Sequence, residues 1–430
     1  MKTVLIISYY WPPAGGPGVQ RPLKFARYLH ELGWKVVVLT VKDGVYPARD
    51  DSLLEEIPSE VKVFKSFSPE PEMLLRKLAS SDPRPSPVGV LAEKPSSFHK
   101  RIIHHIRLNY FIPDAKVMWR YNSRRIAERL VQLYKPDIVF STSPPPTTHL
   151  IAYDIKKRFP VRWVADFRDP WSRIHYYRGQ RSAWAEKWDQ RLERKVLNAC
   201  DQILCVSRAF AGLLVEQHPD KTAIIPNGYD AGDFVSRYHK TERFNMLYIG
   251  GLNRNRWYAA LFKTIIAMLK EGALPEDKVR LTLAGNIAPA VLAELRTIFA
   301  DYPEILQIKD YVPHQQATTM MQQADLLLLF MEKVDRYQGH LPGKLFEYLA
   351  AMRPVLGCGP ADGEAAALLE ELGAGRVVDS PEEMKDLIGR AYTDWVQGIA
   401  PAMDRKKVEN WERRNLTRQL AALFEKVLAR

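Results

Sequence analysis

Short apolar runs alternate with stretches of helical periodicity along this chain, and the alternation occurs twice. The first series opens with an apolar run at residues 2–8, apolar residues at helical spacing over residues 19–33, and a second apolar run at residues 35–40. Continuous apolar runs joined through helices are typical of parallel strands buried on both faces. The opening therefore predicts a β-loop-α-β unit that belongs to a parallel sheet.

The same pattern continues to about residue 206 and starts afresh at Asn245. The further predicted strands are residues 61–64, 137–141, 162–165, 202–206, 246–249, 279–284, 306–308, 326–330, 354–356 and 376–378. The predicted helices between them are residues 120–134, 184–199, 257–269, 288–299, 314–323, 345–351 and 363–372, with a last one at 408–428. At 430 residues the chain exceeds what one core usually supports. We therefore expect two α/β units.

A polar, turn-rich segment at residues 226–241 separates the two series, as a linker between separately cored units would. We predict an N-terminal Rossmann-like domain at residues 1–230, a C-terminal one at 231–400, and a helix within 401–430 that packs back on the first domain. Two doubly wound domains are expected to face each other across a cleft, where helix N-termini bind phosphate groups. Residues 68–98, rich in proline and serine, predict a loop.

The cellular setting is predicted from three negative observations. The apolar start of the chain ends in Tyr9-Tyr10-Trp11-Pro12-Pro13 without a cleavage site, so it predicts a strand and not a leader. The longest apolar stretch, near residues 324–331, is far shorter than the roughly 20 residues that span a bilayer. Three cysteines give no disulfide framework or metal-ligand spacing. These features predict a cytoplasmic protein, with peripheral attachment to the inner face of the plasma membrane left open.

The net positive charge of the chain comes entirely from residues 1–230. The net charge is +12, and residues 1–230 carry 36 basic against 24 acidic side chains. Residues 99–135 hold nine of those cations against Asp114 and Glu128. Such a patch fits an anionic partner, which could be nucleic acid, an acidic lipid surface or a phosphorylated substrate. Residues 98–108 interleave cations with Phe98 and three isoleucines, which indicates either a membrane-interface helix or an ordinary solvated helix.

Glycine-rich loops follow the first predicted strand of each series. Gly15 and Gly16 come after the first strand, and Gly250 and Gly251 come after the strand that opens the second series. Glycines let backbone N–H groups approach an anion at a helix N-terminus, although a tight turn alone would also use them. In the second loop Arg254 and Arg256 could neutralise a departing diphosphate, or both could be solvated.

A second candidate anion site lies near residue 344. Leu341-Pro342-Gly343 predicts a turn into a helix, where N–H groups and the Lys344 ammonium could hold phosphates. Glu347 follows one turn later and could accept hydrogen bonds from ribose hydroxyls. A carboxylate in the first turn of a helix is also favourable for electrostatic reasons alone.

A cluster of charges follows the predicted strand at residues 162–165. Asp166 or Asp169 could orient an acceptor hydroxyl, and Arg168 could contact an acceptor phosphate or carboxylate, because α/β enzymes place their chemistry at strand ends. The same three residues could form a structural ion-pair cluster. His149 is expected to be packed rather than catalytic, and no nucleophilic triad or metal-ligand pattern is visible, so no metal is expected.

Four segments together resemble a bacterial family-four glycosyltransferase of the GT-B fold: residues 8–21, 163–171, 226–230 and 343–356. The resemblance implies transfer of a sugar from a nucleoside diphosphate sugar, with retention of configuration and without a cofactor or required metal. It also implies a lipid-linked or polysaccharide acceptor in cell-surface glycan synthesis. By this resemblance, Lys344 and the arginines near Gly251 contact the diphosphate, and Glu347 contacts the ribose.

The chain departs from that family at two positions. Related enzymes carry a glutamate seven or so residues before the one at Glu347, and this chain has Gly339 there. They also place an arginine directly after the first glycine of the second loop, where this chain has Gly251. A sugar epimerase or phosphorylase of the same architecture, and a non-catalytic binder of nucleotide-sugars, are therefore kept as alternatives. A nucleic-acid-binding module is disfavoured because no recognition motif is present.

Overall fold

The computed structural model describes residues 1–46, 48–70, 98–173, 179–215, 218–332 and 341–430. The chain divides into two compact units, one formed by Met1–Pro226 with Arg413–Arg430 and the other by Asn227–Glu412. Each unit is built on one parallel sheet with helices between successive strands. Most of the predicted loop at 68–98, and Gly339, lie outside the described residues.

The sheet of the first unit has seven parallel strands in the order β3-β2-β1-β4-β5-β6-β7. Its strands are β1 (Thr3–Ser8), β2 (Lys35–Lys42), β3 (Lys62–Phe67), β4 (Ile138–Ser143), β5 (Arg162–Phe167), β6 (Gln202–Cys205) and β7 (Thr222–Ile224). Strands β1 and β4 are fully buried, as expected for central strands covered on both faces. The order reverses between β1 and β4, which is where doubly wound sheets bind ligands.

Helices cover both faces of this sheet. They are α1 (Pro17–Glu31), α2 (Phe98–Tyr110), α3 (Trp119–Tyr134), α4 (Thr147–Arg158), α5 (Ala183–Ala199) and α6 (Arg208–Val215). The face opposite α3 to α5 is closed by the last helix of the chain, which buries Leu416, Leu420 and Phe424 at a spacing of four residues. The Phe424 ring packs edge-on against Trp34 at 5.5 Å between centroids. The C-terminal segment is therefore part of the first unit.

The second unit repeats the arrangement with six parallel strands in the order β10-β9-β8-β11-β12-β13. Its strands are β8 (Phe244–Ile249), β9 (Val279–Ala284), β10 (Leu306–Lys309), β11 (Leu326–Phe330), β12 (Val355–Cys358) and β13 (Gly375–Val378). Its helices are α7 (Ala259–Lys270), α8 (Pro289–Ile298), α9 (His314–Gln322), α10 (Gly343–Ala350), α11 (Glu364–Glu371), α12 (Pro381–Gln397) and α13 (Arg405–Glu409). The order reverses between β8 and β11, so each unit has its own switch point.

The predicted strands are all present, and the structure adds elements that the sequence patterns did not indicate. These are β7, α4, α6 and α12. The single helix predicted at 408–428 is wrong in its start, because α13 ends at Glu409 and a new helix, α14 (Arg413–Leu428), begins after a break. Within the described ranges, no helix combines the length and apolar character needed to cross a bilayer.

Candidate functional site

Two glycines bring the carboxyl ends of β8 and β9 into close contact. Gly250 and Gly285 each follow a strand with φ near +130°, a conformation that side chains with a Cβ rarely adopt. The N–H of Gly250 donates to the carbonyl of Ala284 at 2.7 Å, and a Cβ on Gly285 would lie 2.6 Å from the Gly250 oxygen. Glycine is therefore required at both positions for the two loops to pack this tightly.

Lys344 extends from the start of α10 to the loop after β8. Its Nζ lies 3.3 Å from the Tyr248 hydroxyl and 4.5 Å from the centroid of that ring. A Cβ on Gly250 would lie only 2.0 Å from the same Nζ, so the glycine leaves the space that the ammonium occupies. The Tyr248 hydroxyl in turn donates to the Gly251 carbonyl at 2.8 Å. A single cation is thereby fixed between a strand end and a helix start.

Among the described residues, no carboxylate forms an ion pair with Lys344. Burial, followed by repulsion from Arg256, lowers the pKa of its ammonium to about 7, and attraction to Glu347 only partly opposes them. Near neutral pH this lysine is therefore poised between its charged and neutral forms. A bound anion would restore its charge, because an opposite charge stabilises the ammonium.

The two arginines of the loop after β8 have different surroundings. Arg256 donates from Nη2 to Oε1 of Glu332 at 2.8 Å and lies close enough to Lys344 to affect its pKa. Arg254 is more exposed, at 57% of its side chain against 28% for Arg256, and pairs with Glu294 on α8 at 2.5 Å. The geometry therefore groups Arg256 with Lys344 and directs Arg254 to a surface ion pair.

Glu347 lies on α10 one turn after Lys344 and is partly buried. Among the described residues its carboxylate has no hydrogen-bond or ion-pair partner. Leu341, by contrast, packs its side chain in the core with Leu345, and Pro342 is the N-cap of α10. Near this helix start, Lys344 and Glu347 thus supply the titratable groups, while residues 341–343 can contribute only backbone groups or apolar contact.

The glycine-rich loop of the first unit also needs its glycines. Gly16 has φ of +90° and is the N-cap of α1, and the N–H of Gly15 donates to the Ala48 carbonyl at 2.8 Å. A Cβ on Gly15 would lie 3.3 Å from the backbone of Arg49. Gly15 therefore permits close packing of two loops, whereas Gly16 supplies the backbone conformation that begins the helix.

Asp166 forms a buried ion pair that the sequence did not reveal. Its carboxylate accepts from Arg21 Nη2 at 2.8 Å and Nε at 3.1 Å, and from Thr142 Oγ1 at 2.7 Å. Arg21 also donates to the carbonyls of Ile225 and Pro226. Asp166 and these two carbonyls thus hold the Arg21 side chain in place beside residues 225 and 226.

Arg168 is also occupied by the backbone around it. Its guanidinium donates to the carbonyls of Ser143, Gly18 and Pro144. Burial lowers the pKa of this arginine, and its attraction to Asp166 and Asp169 opposes that effect. Arg168 therefore joins the ends of β4 and β5 to α1, and half-buried Asp169 is the more accessible of the two acids.

Sequence reasoning missed several residues that complete these sites. They are Arg21, Tyr248, Gly285, Glu294 and Glu332. Gly285 carries a signal that could have found it, since it directly follows a buried strand, as Gly250 does. The others act through contacts distant in sequence, such as the 145 residues between Arg21 and Asp166, which no local pattern reports.

Comparison with known proteins finds one matching family model and solved structures of similar fold. The family described as Glycosyltransferase Family 4 matches residues 21–233. Sucrose-phosphate synthase from Thermosynechococcus elongatus superposes with a TM-score of 0.65 at 14% identity, covering 100% of both chains. A glycosyltransferase from Rickettsia africae ESF-5 gives 0.63 at 13% identity, covering 99% of this chain and 98% of that one. No curated protein matches the chain in sequence.

A third solved structure shows that a protein described as an epimerase has a similar fold, so the fold does not identify the reaction. A putative UDP-N-acetylglucosamine 2-epimerase from Listeria monocytogenes superposes with a TM-score of 0.54 at 11% identity, covering 99% of this chain and 96% of that one. At such identities the solved structures show the fold alone. The predicted fold class, α/β of GT-B type with two Rossmann-like domains, is confirmed, and the family match supports glycosyl transfer.

Proposed function

We propose that this protein is a retaining glycosyltransferase that moves a sugar from a nucleoside diphosphate sugar to a lipid-linked or polysaccharide acceptor in cell-surface glycan synthesis. The observation that carries the proposal is the Lys344 ammonium held at the start of α10 near Arg256, with no acid paired to it within the described part of the chain. The family match over residues 21–233 supports it independently.

In this proposal the second unit binds the donor. Lys344 and Arg256 neutralise the diphosphate, and they take up the negative charge that develops on it as the bond to the sugar breaks. The backbone N–H of Gly251 and those at the start of α10 add to this stabilisation, whereas the N–H of Gly250 already donates to Ala284. Glu347 accepts hydrogen bonds from the ribose hydroxyls, one helical turn from the phosphates.

The acceptor is assigned to the first unit. There Asp169 orients the attacking hydroxyl, and Asp166 acts as a positioning residue because its oxygens already accept from Arg21 and Thr142. Retention of configuration requires the acceptor oxygen to attack from the face that the diphosphate leaves. With two cations at the diphosphate no metal is needed, so turnover should persist unchanged in excess EDTA, and its loss would reject the metal-free mechanism.

A binding screen against nucleoside diphosphate sugars tests the donor site directly. Calorimetry on the whole protein should find one preferred donor, bound about 10- to 100-fold more weakly by Lys344→Ala and by Glu347→Ala, since hydrogen bonds to charged groups contribute about 1.5–3 kcal/mol. Lys278→Ala, an exposed lysine of the same unit, is the matched control and should bind as the wild type does. Equal affinity of all four proteins would remove the assigned site.

An epimerase is the second candidate, because a protein described as an epimerase shares the fold. Incubation with the preferred donor alone separates the two activities. An epimerase converts the nucleotide-sugar without an acceptor, whereas a transferase only hydrolyses it slowly. A protein that binds the donor but turns over neither alone nor with glycan acceptors would be a non-catalytic binder.

A further inference from the structure

The helix α5 exposes two tryptophans on the surface of the first unit. Trp184 and Trp188 are 62% and 42% exposed, and their rings stack with centroids 6.3 Å apart and planes 12° from parallel. Large exposed aromatic side chains are uncommon on soluble surfaces and often mark an interaction site. Neither ring belongs to the core of this unit.

Two of the three acids of α5 are buried, and the third, Glu186, is partly buried. The acids Asp189 and Glu193 are buried, where Asp189 accepts from Trp171 Nε1 at 2.7 Å and pairs with Arg181, and Glu193 accepts from Ser172. The cations of the helix remain exposed, and three of them continue the tryptophan stripe at helical spacing: Lys187, Arg191 and Lys195. Among the described residues, none of these three forms an ion pair.

The helix α2 lies directly beside the start of α5. The N–H of Ser182, the N-cap of α5, donates to Asn109 Oδ1 at 2.7 Å, and His104 Nε2 lies 3.0 Å from Gln180 Oε1. Three apolar or aromatic residues of α2, spaced by four, are exposed: Ile102, Ile106 and Tyr110. Two neighbouring helices therefore present aromatic and aliphatic side chains with cations around them.

We propose that α2 and α5 form a docking surface for an anionic lipid bilayer, centred on Trp184 and Trp188. Indole rings favour the headgroup level of a membrane because they combine an apolar body with a polar N–H. The cations on α5 match the negative potential of a leaflet that contains anionic lipid. The buried position of Asp189 and Glu193 reduces repulsion from that same leaflet, and the partly exposed Glu186 is the acid of α5 that still opposes binding. Binding through this surface would place the protein at the membrane that holds the lipid-linked acceptor of the proposed function. The evidence for the surface is the exposed side chains of α2 and α5, which do not depend on that function.

Vesicle flotation of the full chain tests the surface. The vesicles are phosphatidylcholine alone or with about 30% phosphatidylglycerol, at low and high salt. The wild type should float with the anionic vesicles at low salt and much less at high salt. Trp184→Ser with Trp188→Ser should weaken this binding at least about tenfold. Lys187→Gln with Arg191→Gln and Lys195→Gln should weaken it on the order of 100-fold, because each cation near such a surface contributes about fivefold.

A matched control removes three cations elsewhere. Arg405→Gln with Lys406→Gln and Lys407→Gln changes the net charge equally in the second unit, where all three are exposed, and should leave flotation unchanged. All substituted side chains are exposed, and unaltered thermal unfolding verifies that each variant folds. Flotation of the tryptophan variant equal to that of the wild type, or an equal loss in the control, overturns the proposal. Absence of wild-type flotation also overturns it, and a protein partner would then be the remaining explanation for the exposed side chains of α5.

The outcome is separable from that of the proposed function. Donor binding is measured by calorimetry without vesicles, and the α5 variants should retain it in full. Flotation that depends on the stripe, in a protein that binds no nucleotide-sugar, keeps the docking surface and rejects the glycosyltransferase. Donor binding in a protein that does not float keeps the proposed donor site and rejects the docking surface.

Discussion

The two units share one topology but handle charge in opposite ways at their switch points. In the first, Asp166 neutralises Arg21, and Arg168 donates to three backbone carbonyls. In the second, Lys344 lies near Arg256, and its pKa falls to about 7 because burial and repulsion outweigh the attraction of Glu347. A buried ion pair leaves no charge free for a ligand, whereas a buried cation without a paired acid costs stability and is available to a ligand. This difference is the reason why we assign the anion site to the switch point of the second unit.

The prediction with the largest expected effect removes Asp166, the acid of the buried ion pair with Arg21. Asp166→Ala leaves the Arg21 guanidinium buried without its partner, and breaking a buried pair in this way costs about 3–5 kcal/mol. Denaturant unfolding should show this loss. Asp169→Ala, which removes a half-buried acid nearby, should lose about 1 kcal/mol or less. A folded Asp166→Ala of wild-type stability that lacks turnover would instead make Asp166 catalytic.

The second test displaces the uncompensated cation without removing it. Gly250→Ala places a Cβ where the Lys344 Nζ lies and strains a backbone with φ of +131°. We expect donor affinity to fall on the order of 100-fold and the free energy of unfolding to fall by about 1–3 kcal/mol. Gly212→Ala has open space around the new methyl group and serves as the control. Unchanged affinity in calorimetry would show that the position of Lys344 does not matter.

The fold was largely predictable because its signals are local. Buried central strands such as β1, β2 and β11 are nearly continuous apolar runs, and the alternation with helices predicts parallel sheets. The missed strand β7 has three residues and pairs only with β6, so it carries no apolar run. The missed helix α4 follows three prolines and buries threonines and a histidine beside its apolar residues, which obscures its period.

The candidate sites were predictable only in part. Glycines after strands indicated where loops meet, and the helix start indicated Lys344 and Glu347. The partners could not be predicted, because Glu332 meets Arg256 across 76 residues and Arg21 meets Asp166 across 145. Whether a charged side chain has an ion-pair partner depends on such contacts. Local sequence patterns therefore could not predict that the cation is paired at the first switch point and not at the second.

The pH dependence of the second unit follows from the lowered pKa of Lys344. The unfolded chain keeps this proton up to a pH of about 10.5, whereas the folded chain releases it near 7. Protonation therefore favours unfolding between these values, and the cost at this site is full below pH 7 and disappears as pH rises to 10.5. Lys344→Met should stabilise the protein at pH 7 by about 1–2 kcal/mol, since the ammonium is partly hydrated, and much less at pH 10.

Donor affinity should change with pH in the opposite sense to stability. Above pH 7 binding must first protonate Lys344, so affinity should fall by up to about tenfold for each pH unit. Calorimetry from pH 7 to 9 measures this slope. A Lys344→Met protein should bind weakly with a flat profile. A wild-type profile that is equally flat would contradict the lowered pKa, whereas a destabilised Lys344→Met would contradict the cost of the charge.

The smallest expected effect distinguishes the two arginines. Glu332→Gln removes the anion that holds Arg256, so a bound diphosphate no longer competes with a carboxylate. Donor affinity should rise about two- to fivefold, as expected for a partly exposed ion pair worth about 0.5–1 kcal/mol. Glu294→Gln frees Arg254 in the same way and should leave affinity unchanged, because that arginine faces α8 rather than Lys344. A gain in the Glu294 variant alone would transfer the diphosphate contact from Arg256 to Arg254.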